Sequence, residues 1–393
     1  MMDILFATLI GLLAGTFTGL TPGVHINLVS SFIITNLSFF TFQPLILVAF
    51  IVSMSITHTF LDFIPSALLG APDADTALSV LPAHRYLLKG HAYEAIKLTV
   101  IGSLFSIILA VVLSPGIIYT IKIYYPFLQR NIPYLLIIIS ALLIMREKAR
   151  FWALFTFTLS GTLGLIVLNS NISQPLLPLL SGLFGTSLLL LSYKNKTKIP
   201  KQEVTKLKLK KRTLFKALLA IITPSIFTSF LPALGSSQTA IIGSQLFKTK
   251  TKSFLIMIGG INTFEMLMSF LALFMLNKAR SGSAVAISKI ISPYPSYFIF
   301  VVAITLITAG LATMLTLIVS RIAIKQIQKV NYQKLCFFVL LFLSLVVLSF
   351  SGLIGFVVLI VSTSIGLIPS LAKVNKNHLM GSLILPTILY FLI

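Results

Sequence analysis

Acidic residues are almost missing from this 393-residue chain: eight Asp and Glu stand against thirty Lys and Arg, and charged residues of all kinds make up only 10%. Soluble domains typically carry about 25%, so no part of the chain reads as a soluble domain. Cysteine is as scarce. The single one, Cys336, opens an apolar run, which excludes a disulfide framework and any multi-cysteine metal site and leaves it the role of a small hydrophobe. An HExxH pair, a nucleophile motif and a cluster of catalytic acids are also absent, which argues against an enzyme.

What is present is apolar: 57% of residues are hydrophobic and the mean hydropathy is +1.04. Runs long enough to span a bilayer, about 20 residues each, recur from end to end with short polar joints between them. This predicts an all-α polytopic membrane protein. The first run is too long and too broken for a cleavable signal and is expected to stay in the mature chain. The net charge of +22 sits in the joints and not on an interleaved polar and aromatic face, so nucleic acid is not the expected partner.

The densest joint, Tyr193 to Arg212, has one acid, Glu203, and is assigned to the cytoplasm by the positive-inside rule, where it can also meet anionic headgroups. Helices at about 175–192, 150–168, 132–146 and 96–121 then place Arg146 to Arg150 inside and the 122–131 joint outside, although Lys122 and Arg130 flank it. His84, Arg85, Lys89 and Lys97 fall inside, and the joint near Thr41 falls outside after one more helix at about 45–69. Lys248 to Lys252 is basic enough for another inside joint. An even number of crossings, or a re-entrant hairpin, must separate it from Arg212.

Two interruptions stand out, "GLTPGVH" (Gly19 to His25) and "FLPALGSSQ" (Phe230 to Gln238). Further matches follow in the same order. "SITHTFLDF" (Ser55 to Phe63) pairs with "GGINTFEML" (Gly259 to Leu267), and "DADTALSVL" (Asp73 to Leu81) with "RSGSAVAIS" (Arg280 to Ser288). Three matches in register predict a duplication. Because the joint after the first break is outside and its counterpart inside, the copies are predicted to be inverted. The expected segments are 1–130 for the first repeat, 131–192 for connecting helices, 193–212 for the linker, 213–334 for the second repeat and 335–393 for C-terminal helices. Gly11, Gly15 and Gly19 line one face of the first helix and predict close helix packing.

Non-helical backbone at membrane depth is tolerated only where protein buries it or it lines a wet cavity. Pro22 and Gly23 stop the helix, and one restarting near His25 presents free N–H groups to an anion. Thr21, Pro22, Gly23 and His25 therefore form one candidate cradle; Pro232, Gly235, Ser236 and Ser237 form its mirror image. A plain Pro kink is the competing reading. Asp62 and Glu265 are intramembrane acids at nearly equivalent positions, and His58 lies one turn before Asp62. With Asn262 and Thr263 they could hold a coupling H+ or Na+; a structural hydrogen-bond network would use the same residues. Gly70 to Leu98 reads as a second re-entrant element carrying Asp73 and Asp75 to the site, or as a plain cytoplasmic loop in which they only cap helices. In the other copy Arg280 is the side chain best suited to a carboxylate, through its bidentate fork, and reads equally as an ordinary loop arginine.

"GTFTGLTPG", "GAPDADTALSVLPAHRYLLKGHAYEAI" and "LPALGSS" resemble the large membrane subunit of tripartite tricarboxylate transporters, the TctA-type permeases. The resemblance runs through about residue 330. It implies an ion-coupled permease for an organic anion, two inverted repeats whose Pro/Gly loops meet at the site, and a small membrane subunit and an extracytoplasmic binding protein as candidate partners.

The expectation is a multi-pass permease of the cytoplasmic membrane, with about ten to twelve membrane segments, moving a di- or tricarboxylate by alternating access. If the broken segments are re-entrant hairpins, an elevator-like motion of a hairpin-bearing unit past a static scaffold follows. The rival is a carrier or flippase of a lipid-linked anion such as a polyprenyl phosphate. No cofactor beyond the coupling ion is expected, and a homo-oligomer is left open. The topology has a direct test. A cysteine at Lys201, in a Cys336→Ser background, should react with an impermeant maleimide only from the cytoplasmic face; labelling from the outer face would invert the assignment.

Overall fold

A chain embedded in hydrocarbon has no water to bond its backbone, so it must satisfy those groups within helices. The computed structural model describes residues 2–21, 26–35, 43–70, 76–194, 199–204, 207–230 and 235–392, and among them helix is the only extended regular element. The order is α1 (Met2–Leu20), α2 (Ile26–Thr35), α3 (Pro44–Leu61), α4 (Phe63–Leu68), α5 (Val80–Leu88), α6 (Ala92–Met145), α7 (Arg150–Leu168) and α8 (Leu176–Leu180). A π-turn over Ser181–Thr186 joins α8 to α9 (Ser187–Lys194). The second half contains α10 (Lys211–Thr228), α11 (Ser236–Phe247), α12 (Thr251–Leu276), α13 (Gly282–Ile290), α14 (Tyr297–Ile327), α15 (Tyr332–Ala372) and α16 (Gly381–Leu392). Among the described residues eight helices are long and apolar enough to cross a membrane.

Two of these helices turn back on themselves. A straight helix of the 54 residues of α6 would run about 81 Å. Yet Glu94 at its start meets Lys252 at 2.6 Å, while Arg146 at its end meets Gln245 at 2.5 Å, and Gln245 and Lys252 belong to one short stretch. The chain therefore reverses between the arms Ala92–Thr120 and Arg130–Met145. In α15 the break is at Gly352, whose φ of 66° and ψ of −168° leave helical space. Gln333 at one end of its first arm reaches the Tyr193 carbonyl, Ser351 at the other reaches Gln174, and Ser362 on the returning arm donates to Pro178.

These reversals gather the basic joints at one end of the bundle. Glu203 N donates to Gly90 O at 2.8 Å, Gln202 to Leu87 O at 2.8 Å, Lys216 to Lys248 O at 3.2 Å, and Asn375 N to Glu147 at 3.1 Å. The joints at 84–97, 146–150, 199–204 and 248–252 thus share one face, as the charge pattern requires.

Glycine sets how closely the helices approach. Gly11 lies over Phe50 and Ser53, Gly15 over Met54 and Thr57, and Gly19 over His58 and Leu61, so α1 and α3 run parallel and almost in backbone contact. A Cβ at Gly15 would strike the Met54 carbonyl, and one at Gly102 in α6 would strike that of Ile256 in α12. α10 and α12 also run parallel: Ser253 donates to Thr213 O at 3.2 Å near their starts, and Glu265 meets Thr228 at 3.3 Å further along. Between each parallel pair lies a short helix, α2 or α11, of 10 or 12 residues. At 1.5 Å per residue these span about 15–18 Å, roughly half the hydrocarbon depth.

The two units point in opposite directions. Ser281 bonds Ser269 at 2.8 Å, which brings the start of α13 back beside the outer half of α12. Along α3, Ser55 meets Ser283 at 2.6 Å and Asp62 meets Asn262 at 2.7 Å. α3 therefore descends α12 from its later turns to its earlier ones.

Gly15→Leu should lower the thermal midpoint of the detergent-solubilised protein, since overpacking of this kind costs about 1–3 kcal/mol or more. Gly310→Leu, with nothing within 4 Å of its added Cβ, should leave it nearly unchanged. Equal effects at the two sites would refute the close-packed stripe.

Candidate functional site

Nearly every side chain of α12 is buried, so each polar residue on it needs a partner from the protein. Asn262, Glu265 and Ser269, spaced i, i+3 and i+7, share one face. Each meets a different element. Asn262 Nδ2 donates to Asp62 Oδ2 at 2.7 Å, where α3 ends; both residues are buried. Ser269 donates to Ser281 Oγ at 2.8 Å, and Ser281 caps α13 by accepting from Ala284 N.

Glu265 occupies the start of α11. Its Oε2 accepts from Ser236 at 3.1 Å, and its Oε1 accepts from Thr239 at 2.5 Å and Thr228 at 3.3 Å. Thr239 Oγ1 also lies 2.8 Å from Thr228 Oγ1, while Gly235 N donates to Gln238 Oε1 at 3.0 Å as the helix begins. The first turn of a helix leaves N–H groups without helical partners and carries the positive end of the dipole. A carboxylate belongs there, and the one present is the protein's own.

The anticipated substrate and ion residues are therefore interleaved. Ser236 contacts Glu265 directly, and Ser237 is buried on the same first turn. Arg280 Nη1 donates to the Thr228 carbonyl at 3.0 Å, on the same residue whose hydroxyl reaches Glu265. His58 Nδ1 lies 3.0 Å from Thr18 Oγ1, tying α3 to α1 four residues before Asp62. Thr263 turns back to its own helix, donating to Gly259 O at 3.1 Å. Thr21 is half-buried and extends α1 by one backbone bond to Phe17. Pro22, Gly23, His25, Asp73, Asp75 and Pro232 lie outside the described residues. No group of three His, Cys, Asp or Glu able to hold a metal occurs among the described residues.

Three contributors went unnoticed in the sequence. Thr228 and Thr239 supply two of the three hydroxyls on Glu265, and Ser283 joins α13 to both Ser55 at 2.6 Å and Ser30 at 3.4 Å. Thr239 had a local signal, since it stands three residues after Ser236 on one face of α11. Thr228 had none: it precedes the break and looks like one more hydroxyl in an apolar run.

A model of the family described as "Tripartite tricarboxylate transporter TctA family" matches residues 5–381. An uncharacterized protein of Methanocaldococcus jannaschii is 32% identical over 406 residues, an alignment covering 100% of both chains. No solved structure matches this chain.

A double-mutant cycle tests the Asp62–Asn262 contact. Asn262→Leu and Asp62→Leu should each destabilise the protein, with a coupling of about 1–3 kcal/mol in the double variant. Additive losses would mean that the contact contributes nothing.

Proposed function

The chain belongs to the tripartite tricarboxylate transporter TctA family and is thus a multi-pass membrane component of a transporter; from that premise we propose that it is a secondary active permease for a di- or tricarboxylate. It works by alternating access across the cytoplasmic membrane, is coupled to H+ or Na+, and acts with a small membrane subunit and an extracytoplasmic binding protein.

The observation that carries this reading is the position of Glu265. The N-terminal turn of α11 holds the protein's own carboxylate through Ser236, Thr239 and Thr228. An incoming substrate carboxylate competes for the same hydroxyls and the same positive helix end. Two carboxylates cannot share such a site unless one is neutralised. Glu265 must then take up a proton or be met by Na+ as the anion binds, which couples the two loads. Asp62, held by Asn262 one turn away along α12, supplies a second carboxyl for the cation. The opposed parallel pairs α1/α3 and α10/α12, each with a half-length helix between its members, support an inverted duplication in which both short helices face the midplane. Movement of the broken-helix units past the remaining helices exposes the site alternately to each side.

Glu265→Gln should retain citrate–citrate exchange in vesicles containing the chain and its co-purifying partners, because the amide still bonds the hydroxyls. It should lose citrate accumulation driven by a proton or Na+ gradient. Wild-type accumulation in that variant would sink the coupling role.

A further inference from the structure

The basic end of the bundle contains a cavity of about 980 Å³, distinct from the polar face of α12. Its charged lining comes from four separate stretches: Arg85 of α5, Arg146 and Glu147 after α6, Lys248 after α11, and Lys373 and Lys376 after α15. Among the described residues five cations therefore face one carboxylate, and that carboxylate is already engaged, accepting from Asn375 N at 3.1 Å and pairing with His378 Nε2 at 3.3 Å. Four of the cations are solvent-exposed. Lys376 differs: it is only 5% exposed, and its Nζ has no hydrogen-bond partner among the described residues.

A buried ammonium without a counter-ion is costly. His84, buried nearby, gives no relief. Its two ring nitrogens also lack partners, and burial together with the Lys376 charge lowers it to about 4, so it is neutral. Burial alone lowers Lys376 to about 8, close enough to neutrality for the amine to remain largely charged and in need of an anion. Surface repulsion among the other four cations adds to the same demand.

We infer that this cavity is a second anion site, at the basic end of the protein, which binds a compact multivalent oxyanion of carboxylate or phosphoryl type with Lys376 as its buried anchor and Arg85, Arg146, Lys248 and Lys373 as its walls. The inference rests on the anion-permease reading only for its choice of a carboxylate probe. A multivalent anion suits the arrangement because the cations approach from several elements, so a single charge would leave most of them unmatched. Binding there links α5, α6, α11 and the end of α15, which are the elements that carry the basic joints.

Chemical labelling tests the site without requiring transport. The full-length protein, in nanodiscs of zwitterionic lipid, is acetylated at pH 8 with sulfo-NHS-acetate and the rate at Lys376 is read by mass spectrometry. Citrate or inorganic phosphate should slow that rate about tenfold, the scale of one charge-assisted contact of about 1.5 kcal/mol, with exposed Lys201 unaffected. Arg85→Gln, on the exposed wall, should fold normally and weaken the protection. Glu265→Gln should keep it, even if transport is lost. Protection only in nanodiscs containing anionic lipid would support the oxyanion site and assign its ligand to a headgroup. Three results would overturn the proposal: no protection by any anion, equal protection by chloride at matched ionic strength, or loss of protection in Glu265→Gln.

Discussion

A carboxylate inside a membrane protein must find its hydrogen-bond donors in the protein, and Glu265 finds them at the start of α11. That constraint organises the second half of the chain. Ser236 and Thr239 come from α11, Thr228 from the end of α10, and the acid from the middle of α12, so one side chain fixes three helices around a break in the backbone. Asn262 and Ser269 on the same face extend the arrangement to α3 and α13. α12 is consequently the helix through which the two halves meet.

The opposite face of α12 is built differently. Lipid tails are as apolar as leucine, so helices in a membrane gain little from hydrophobic burial and associate through close packing and polar contacts. Gly102, Gly259 and Gly260 bring α6 and α12 together closely enough for Ser103 to donate to Gly259 O at 3.0 Å. Gly11, Gly15 and Gly19 do the same for α1 and α3. Glycine contacts hold the members of each pair at backbone distance, whereas polar side chains link one pair to the next.

Charge separates the molecule along its other axis. The basic joints converge on one end, where the cations of the large cavity crowd together, while Asp62 and Glu265 lie within the helices. The cluster of cations and the carboxylate-partnered start of α11 are thus separate features of the bundle, built from different residues.

Much of this was legible in local sequence. Apolar runs and basic joints gave the membrane class and the shared face, the Gly-x3-Gly-x3-Gly stripe gave close packing of the first helix, and the Pro/Gly breaks marked where each short helix starts, because hydropathy, glycine spacing and helix termination are properties of neighbours in the chain. The family motifs gave the transporter class. What only the tertiary structure decided was partnership. Asp62 and Asn262 fell in one candidate ion group, yet they are 200 residues apart, and the fold decides that they bond each other directly. Glu265 was expected to serve an ion and Ser236 a substrate, yet the fold puts them in one contact. Lys376 has no local sign of burial in its segment, and only the packing of the bundle buries it. A side chain's partners depend on which distant helices converge on it, and that convergence is settled by the packing of the whole bundle.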